Sequence, residues 1–472
     1  KFVPFAHQRF GTAMPTHQPA TMLGWDMGTG KTKAVIDYFC NTDDVRRVLI
    51  CCPKAVTNVW ASELVKHSTV EYVLSLLNRG SVATRVAKMI SDSIIATSKD
   101  CRLIVVVNYE AIIRAPLGPT LNKAKRITQC GHLLSHEWDL IVGDESHCFK
   151  APHGRTSRMM TRLRDRARKR ICLTGTPMPH SPLDIFAQYR FLDPGIFGTS
   201  FTKFRSRYAI MGGFQGKQVL SFVNQDELHD KIKTIGHILR KCDVLDLPPV
   251  VHVTREVEIP KQALAVYKKL ASEFVADVAE GRVVVTNALV KVLRLMQITS
   301  GFVPIESDGG ESAIHVLHDA KQKELESILE SLHANEPVAC FGRFHHDLDA
   351  IHAAAKAVDR KSVELSGRKN EVGAVWKESS RGDTVAAIQI QAGGVGIDLT
   401  RSAYAVYVST GHNNGAYEQS LARLDRNGQT RPVTNIHLNV TGSIDVRVRK
   451  ALQAKKDVVE YVLIHVRKEN RI

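Results

Sequence analysis

A glycine-rich loop near the amino terminus constrains the fold of this chain more than any other feature. The loop reads Gly28-Thr29-Gly30-Lys31-Thr32 and follows an apolar, partly aromatic stretch at Met22 to Met27. This order is typical of a strand, a phosphate-binding loop and a helix, because backbone N–H groups of such a loop can surround one phosphate cluster. Lys31 is predicted to meet the β- and γ-phosphates, and the Thr32 hydroxyl is predicted to hold Mg²⁺.

Two adjacent carboxylates are the expected partners of this loop. Asp144 and Glu145 stand directly after Trp138 to Gly143, which has the pattern of a short buried strand. Asp144 can hold Mg²⁺ there, while Glu145 orients the attacking water. The strict loop motif has a glycine where this chain has Trp25, so the loop alone is a moderate signal that the carboxylates strengthen. An acidic turn after a strand is the alternative interpretation.

Charge and composition limit the class of protein. A formal net charge of +16 and a sequence pI near 9.4 indicate a polyanionic partner such as nucleic acid. No apolar run is long enough to span a membrane, and no secretory leader is visible, although the chain opens at Lys1 without Met. Nine cysteines without a CxxC pair predict free thiols in a reducing intracellular compartment. We expect His345-His346 to lie on the surface and not in a zinc site.

Strand-length apolar runs alternate with amphipathic stretches over residues 1–194, which predicts a parallel α/β sheet covered by helices. The polar segments follow the ends of these runs, where the chemistry of a parallel sheet is expected. They are Pro53-Lys54, Asn108-Tyr109-Glu110, Asp144-Glu145 and Thr174-Gly175-Thr176-Pro177.

A second lobe is predicted after Leu247-Pro248-Pro249, because consecutive prolines cannot continue a helix or a central strand. The predicted first lobe covers 1–240 with a helical protrusion at about 195–240, and residues 241–250 form the linker. The second lobe covers 251–472 with a helical insertion at about 257–333, in which 301–312 is a loop between helices. Strand-like runs at 338–341, 386–391, 403–408 and 434–438 predict a second parallel α/β domain.

Two segments of the second lobe carry candidate functional residues. Arg423 and Arg426 are three residues apart and would share one face if their segment is helical, from which they could neutralise charge on a γ-phosphate. A solvated basic helix end is the alternative. The segment Gln391 to Thr400 contains Gly393, Gly394 and Gly396, which allow close backbone approach to a phosphate or to the opposite lobe. A structural turn is the alternative for any single glycine there.

The order GTGKT, DESH, TGTP, QAGGVGIDLT and QSLARLDRNGQTR is similar to motifs I, II, III, V and VI of helicase superfamily two. Within it the chain resembles the Swi/Snf-type DNA-translocating ATPases over about residues 4 to 450. The resemblance implies two tandem RecA-like lobes with helical insertions, an ATP site in the cleft between them, and ATP and Mg²⁺ as cofactors. Both halves of that site lie in one chain, so a monomer suffices.

The resemblance also implies roles for individual residues. Lys31, Glu145, Asp144, Arg423 and Arg426 would be catalytic, with Thr32 and Asp144 as metal ligands. The nucleotide would be bound by Gln8, which reads adenine, and by Gly28, Thr29, Gly30, Lys31, Thr32, Gly396 and Asp398. Nucleic-acid binding or coupling is implied for Lys54, Asn108, Tyr109, Lys150, Arg155, Thr174, Thr176, Arg343, Gly393, Gly394 and Gln419.

The chain departs from its relatives at several positions. Trp25 and Asp26 stand where many relatives have two acids, His180 where an Asn is usual, and His412-Asn413-Asn414 where Trp-Asn-Pro is usual. These departures favour a divergent, compact branch like those of bacteriophages and bacteria.

Lys150 to Arg170 carries nine basic residues against one acid, Asp165, and such a face could follow a phosphate backbone. A solvated helix is an equal alternative for Arg162 to Arg170. Aromatics form only 6% of the chain, which favours tracking on a duplex over stacking on a single strand.

Together these features predict an ATP-dependent DNA translocase that tracks along DNA and remodels branched or forked DNA by branch migration, fork regression or annealing. Two alternatives stay open. One is a strand-separating helicase on DNA or RNA, whose pin could lie in residues 195 to 230. The other is a nucleic-acid-binding scaffold with an inactive ATPase.

Overall fold

The computed structural model describes residues 3–113, 129–179, 181–213, 218–279, 285–306, 312–372, 376, 383–391, 397–411 and 413–454. The chain divides into two compact units, Lys1–Leu245 and Asp246–Ile472. Each unit contains one large sheet whose neighbouring strands are all parallel, and helices cover it. The predicted α/β class with two tandem RecA-like lobes is therefore confirmed.

The first unit contains nine strands and eleven α-helices among its described residues. The strands are β1 Ala20–Trp25, β2 Arg47–Cys52, β3 Tyr72–Leu77, β4 Arg102–Asn108, β5 Trp138–Asp144, β6 Ala167–Leu173, β7 Ala209–Gly212, β8 Gln218–Phe222 and β9 Gly236–Leu239. The helices are α1 Ala6–His17, α2 Lys31–Cys40, α3 Thr57–His67, α4 Val82–Ser98, α5 Tyr109–Ile113, α6 Gln129–Leu134, α7 Arg155–Arg164, α8 Ile185–Leu192, α9 Pro194–Phe197, α10 Phe201–Tyr208 and α11 Gln225–Lys233. Short 3₁₀ turns lie at Lys54–Val56, Ser146–Phe149, Pro182–Asp184 and Lys241–Asp243.

Seven strands of the first unit form the large sheet in the order β3-β4-β2-β5-β6-β1-β9. Every residue of β1 and of β4 is buried. Because helices cover both faces of a parallel sheet, its central strands are continuous apolar runs without alternation. This is why the sequence pattern located β2, β4, β5 and β6 correctly.

The segment 195–240 is less helical than predicted. Besides α9, α10 and α11 it contains an antiparallel hairpin, β7–β8, and the edge strand β9, which pairs with β1. Both features were missed because their strands have four or five residues and are partly exposed, so they lack a long apolar run.

The second unit contains eight strands and six helices in its described part. The strands are β10 Val250–Val257, β11 Phe302–Glu306, β12 Ser312–Val316, β13 Val338–Gly342, β14 Lys361–Leu365, β15 Thr384–Gln389, β16 Tyr404–Tyr407 and β17 Val433–Val440. The helices are α12 Lys261–Ala279, α13 Val285–Thr299, α14 Ala320–Ser331, α15 His345–Ala357, α16 Asn414–Leu421 and α17 Ile444–Gln453.

The sheet of the second unit has the order β10-β17-β16-β13-β15-β14. Residues 301–312 were predicted as a loop, but 302–306 form β11 and Ser312 begins β12, and these two strands pair as a hairpin. Residues 307–311 lie outside the described residues. None of the helices in the described ranges is long and apolar enough to cross a membrane.

Candidate active site

Sheet topology brings three polar segments of the first unit to one edge. β6 pairs with β5 on one side and with β1 on the other, and all three strands are parallel. Their carboxyl ends therefore lie together, and each is followed by a segment that the sequence analysis singled out. These are the glycine loop after β1, Asp144-Glu145 at the end of β5 and Thr174 to Pro177 after β6.

The glycine loop adopts a conformation that depends on two of its glycines. Gly28 and Gly30 both have a φ of 84°, in the left-handed region that glycine enters without steric cost. α2 begins at Lys31, so the loop ends at a helix amino terminus with Gly30 as its N-cap. Thr29 Oγ1 closes the turn by donating to the Asp26 carbonyl at 2.8 Å. Such a loop and helix end are suited to bind an anion.

Lys31 is buried at the base of this loop. Its Nζ donates to the carbonyl oxygens of Trp25 at 2.7 Å and Asp26 at 3.2 Å. Burial lowers the pKa of this amine, while the carboxylates of Glu145, Asp144 and Asp26 act in the opposite direction. The ammonium therefore shares the electrostatic environment of the two carboxylates at the end of β5.

Two side chains of α1 contact the backbone of the glycine loop. His7 Nε2 and Gln8 Nε2 lie 2.8 Å and 3.1 Å from the Thr29 carbonyl oxygen. Gln8 Oε1 accepts from the Phe5 N–H at 3.0 Å, so both ends of this amide are bonded within the first unit. A Cβ on Gly30 would lie 2.1 Å from Gln8 Nε2. The observed contact of Gln8 is thus with the phosphate loop, and adenine recognition by Gln8 stays a prediction.

Asp144 is held in place by neighbours distant in sequence. Its Oδ2 accepts from Trp60 Nε1 at 2.8 Å, and its Oδ1 accepts from the Glu145 N–H at 2.9 Å. Burial, and secondarily the Glu145 charge, raises the pKa of Asp144 to about 6, although Trp60 and Lys31 oppose the shift. Tyr109 Oη donates to the Asp144 carbonyl at 2.7 Å. Tyr109 is buried, and its predicted role in nucleic-acid binding or coupling stays a prediction.

Glu145 occupies a strained backbone conformation. Its φ of 48° and ψ of 54° are left-handed, which is uncommon for a non-glycine residue and is concentrated at functional sites. Its Oε2 lies 3.4 Å from His147 Nδ1. The strain and this contact fix the direction of the carboxylate.

Two contacts join the segment at the end of β5 to the one after β6. His147 Nδ1 lies 3.2 Å from Thr174 Oγ1. Ser146 Oγ donates to Gln188 Oε1 at 2.6 Å, and Gln188 Nε2 donates to the Pro177 carbonyl at 2.6 Å. Gln188 is fully buried in α8 and no motif pointed to it, so its bridging role emerges only from the fold.

The other candidates of the first unit differ in what they contact. Lys54 is exposed after β2, while Asn108 is buried and donates to Glu110 Oε2 at 2.7 Å. Lys150 Nζ lies 3.6 Å from Asp184 Oδ2, and Arg155 Nη2 donates to the Ile113 carbonyl. Thr176 Oγ1 is buried without a hydrogen-bond partner among the described residues, which leaves a hydroxyl available at this edge.

At the corresponding edge of the second unit, Asp347 organises the end of β13. Its Oδ2 accepts from the N–H groups of Arg343 and Phe344 at 3.0 and 2.8 Å, and from Ser409 Oγ. Arg343 Nη1 is buried with no partner in the described part of the chain. A Cβ on Gly411 would lie 2.8 Å from Arg343 Nη1, so the glycine leaves room for this guanidinium.

Arg423 and Arg426 do not lie on a helix, so the condition under which they would share a helical face is not met. α16 ends at Leu421, and the two arginines follow in a series of turns. The Leu399 N–H donates to the Arg423 carbonyl at 3.2 Å, which places the arginine segment beside Asp398. Arg426 Nε is buried without a partner among the described residues. Gln419 lies half-buried on α16.

Three predicted site residues lie outside the described residues: Gly393, Gly394 and Gly396. The same is true of the departures at His180 and His412.

The acidic pair at the end of β5 is not a complete metal site. No group of three or more His, Cys, Asp and Glu side chains that could hold a metal is present in the described ranges. Mg²⁺ is typically bound by one or two carboxylates together with water and substrate phosphates. Asp144 and Thr32 fit this second type of site, in which the phosphates of a nucleotide complete the ligand set, and the Lys31 ammonium would bind those phosphates.

The chain is similar to one protein family and to several individual proteins. The family model described as the SNF2-related domain matches residues 9–300. Protein p41 of Acyrthosiphon pisum secondary endosymbiont phage 1 is 25% identical over 342 residues, 69% of this chain and 68% of that protein. The DNA annealing helicase and endonuclease ZRANB3 of Bos taurus is 26% identical over 455 residues, 93% of this chain.

The chain spans only 38% of the length of ZRANB3. Among solved structures, the Sulfolobus solfataricus SWI2/SNF2 ATPase core in complex with dsDNA is 21% identical, with a TM-score of 0.43. That match covers 96% of this chain and 91% of the other. Because the SNF2-related domain model matches more than half of its residues, the chain belongs to the SNF2-related domain family.

Proposed function

We propose that this chain is a DNA-dependent ATPase that tracks along DNA and remodels branched or forked DNA. One observation carries the proposal: the glycine loop with Lys31 and the Asp144-Glu145 pair lie at the same edge of one sheet, and Thr174 directly follows β6, the strand between them. Family membership supports ATP hydrolysis, and the net charge of +16 supports a polyanionic partner.

Each residue of the first unit has a distinct task in this proposal. Lys31 leaves the Trp25 and Asp26 carbonyls and donates to the β- and γ-phosphates, and the N–H groups of the loop bind the same phosphates. Thr32 and Asp144 hold Mg²⁺, which supplies charge neutralisation on the phosphate oxygens. Glu145, directed by its backbone and by His147, orients the attacking water.

Residues of the second unit would take part in ATP hydrolysis and in movement along DNA. Arg423 and Arg426 neutralise charge that develops on the γ-phosphate, and Asp398 follows their movement through the bond between Leu399 and Arg423. Arg343, with its buried and unpartnered Nη1, is suited to receive an anionic oxygen of the DNA backbone. Alternation between two nucleotide-dependent grips on DNA then produces steps along it.

The choice of branched DNA rests on the names of relatives. ZRANB3 is named a DNA annealing helicase, and RDH54 of Saccharomyces cerevisiae, 22% identical over 475 residues, is named a DNA repair and recombination protein. The chain spans about half of RDH54, so these activities belong to longer proteins. Bacterial or phage-infected cells are the proposed setting because p41 is a phage protein.

The test is ATP turnover without nucleic acid and with single-stranded DNA, duplex DNA, a four-way junction or RNA, each at two salt concentrations. We expect the strongest stimulation by duplex or junction, weaker at high salt. A Lys31→Ala variant is the control and is expected to lose turnover. No turnover of the wild type under any condition would leave only the binding scaffold. Full turnover by the Lys31→Ala variant would contradict the proposed role of Lys31 at the phosphates.

Strand separation is a second candidate because one structural feature favours it. The hairpin β7–β8 lies within 195–230, where a separating pin was expected, and Ile210 and Leu220 on it are 48% and 64% exposed. Apolar side chains on a projecting hairpin can unstack a base step. Unwinding of a partial duplex, compared with displacement of a triplex strand, separates the candidates. A translocase that does not unwind displaces the triplex strand only.

A further inference from the structure

The basic segment 150–170 contains two kinds of cation. Most of its nine basic side chains are bonded within the first unit. Lys150 pairs with Asp184, Arg164 with Asp165, Arg166 with Glu137 and Arg168 with Asp44, while Arg155, Lys169 and Arg170 donate to the carbonyls of Ile113, Pro15 and Ala167. Arg158 and Arg162 are the exceptions, because their guanidinium groups have no partner among the described residues.

These two arginines lie on the solvent face of α7. The opposite face is apolar, with Met160 and Leu163 fully buried. Arg158 and Arg162 are four residues apart, so both are exposed on the same side and about 6 Å apart along the helix axis. At this spacing the two guanidinium groups can bind neighbouring phosphates of one DNA strand.

Two stretches of the chain that contribute to the surface around these arginines contain basic residues but no acidic ones. Residues 150–164 and 194–208 include no Asp or Glu. The His153 ring contacts the Phe201 ring at 6.0 Å between centroids, and the Arg205 guanidinium lies 5.9 Å from the centre of the same ring. The segment directly before α7 therefore contacts α10, where Lys203 is also exposed.

This surface lies away from the edge that carries the motifs. α7 connects the carboxyl end of β5 to the amino end of β6, so it runs back from the motif edge towards the opposite edge of the sheet. Arg162 is seven residues beyond Arg155, which is about 10 Å along the helix. DNA bound beside the exposed Lys54 at the motif edge would lie towards the amino end of α7, whereas Arg162 lies near the other end of this helix.

We propose that Arg158 and Arg162 bind the phosphate backbone of a second DNA arm, distinct from the arm held at the motif edge. The inference rests on the proposed function and specifies how a branched substrate is distinguished from a linear one. Contacts to phosphates carry no sequence information, so this surface would select for the presence of a second arm and not for its sequence.

The test compares the double variant Arg158→Ala/Arg162→Ala with the control Arg166→Ala/Arg168→Ala. Both remove two exposed arginines and the same net charge, but the control arginines are already paired with Glu137 and Asp44. Binding without nucleotide is measured for a four-way junction and for a short linear duplex with the sequence of one arm, over a series of salt concentrations.

We expect the first variant to bind the junction about tenfold more weakly, with the slope of log K against log salt reduced by about two. Its affinity for the linear duplex should change less than twofold, as should both affinities of the control. Equal losses on junction and duplex, no loss at all, or an equal loss in the control would each overturn the proposal. ATP turnover of the wild type is measured separately, so failure of the proposed function is distinguishable from failure of the second-arm contact.

Discussion

His147 Nδ1 lies 3.2 Å from Thr174 Oγ1, and this contact joins the carboxylate segment after β5 to the polar segment after β6. Thr174 is fully buried, and its hydroxyl also accepts from the Thr176 N–H at 3.1 Å. Glu145 Oε2 lies 3.4 Å from the same imidazole nitrogen. His147 is therefore the residue through which a shift of the β6 segment can reach the proposed water-orienting carboxylate.

Replacement of Thr174 by Val should uncouple these segments while it preserves the buried shape. The variant loses two hydrogen bonds of about 1 kcal/mol each, the one with His147 and the one from the Thr176 N–H. Loss of the bond with His147 alone predicts a fall in DNA-stimulated turnover of about fivefold or more, with little change in nucleotide affinity. Turnover with duplex DNA and binding of a fluorescent ATP analogue measure the two effects. Thr161→Val on α7 is the control, since its hydroxyl bonds only within the helix. An equal loss of nucleotide affinity would contradict the coupling role.

Gly30→Ala should abolish ATP binding for two separate reasons. The φ of 84° disfavours any side chain, and the new Cβ would lie 2.1 Å from Gln8 Nε2. Adding Gln8→Ala removes the clash but leaves the backbone strain, so the double variant should recover only part of the affinity lost. Isothermal titration with an ATP analogue measures both variants. Full recovery in the double variant would show that the backbone conformation of Gly30 is unimportant.

The strands that position the site could be predicted because their central location makes them continuous apolar runs. β4 is buried at all seven positions. Its last residue, the polar Asn108, and the following Tyr109 mark the end of the strand. Edge strands carry no such pattern: β9 has one buried residue of four, and β10 one of eight. Pairing with a neighbouring strand, and not local preference, makes these segments strands, so a single sequence does not reveal them.

The types of residue at the site could also be predicted from the sequence. The residues whose hydrogen bonds keep them in position could not. Trp60 and Gln188 bond Asp144 and Ser146 across 84 and 42 positions of sequence. Such pairs are set by helix packing, which local patterns do not encode. The spacing of Arg423 and Arg426 gives them a common face only in a helix, and it does not reveal whether the segment is helical. The segment forms turns, and Gly428 with a φ of 104° lies within them.

Trp25 replaces the first glycine of the strict loop motif, and the structure predicts that restoring the glycine is harmful. Trp25 is fully buried against α1, where a Cβ on Gly11 would approach its ring to 2.3 Å, and its Nε1 donates to His237 Nδ1 at 2.9 Å. Trp25→Gly should cost about 3–5 kcal/mol of unfolding free energy. Trp25→Phe, which keeps most of the packing, should cost clearly less. Urea denaturation of both variants measures this, and equal costs would show that the ring contributes little.

A buried ion pair should hold the helical insertion to the sheet of the second unit. Lys321 Nζ, 3% exposed, donates to Asp445 Oδ2 at 2.8 Å and to the Val408 carbonyl at 2.9 Å. Asp445 also accepts from Thr299 Oγ1 at 2.8 Å. Lys321→Met leaves the carboxylate buried and unpaired, and should cost about 3–5 kcal/mol.

Combining Lys321→Met with Asp445→Asn removes the uncompensated charge and should recover part of this loss. The unfolding midpoints in urea of the wild type, both single variants and the double variant measure the interaction. If the loss of stability in the double variant equals the sum of the two single losses, the two side chains do not interact.

Glu364 should make a contribution to stability that depends on pH. Its side chain is fully buried on β14, and burial alone would raise its pKa, but hydrogen bonds from Arg368, Ser366 and His352 lower the pKa to about 2. The ordinary pKa of this carboxyl is 4.5, so the folded state prefers the ionised form. The contribution is therefore complete above about pH 4.5 and is lost progressively as the pH falls towards 2.

The matched variant is Glu364→Gln, which keeps the shape but cannot ionise. At pH 7 it should be less stable than the wild type by about 2–3 kcal/mol, because the Arg368 guanidinium loses a buried anionic partner. Between pH 4.5 and 3.5 the difference should shrink by about 1 kcal/mol, since only the wild type takes up a proton at this site on unfolding. Urea titrations of both proteins at several pH values measure it. A difference that stays constant over this range would show that Glu364 is stabilised by packing and not by its charge.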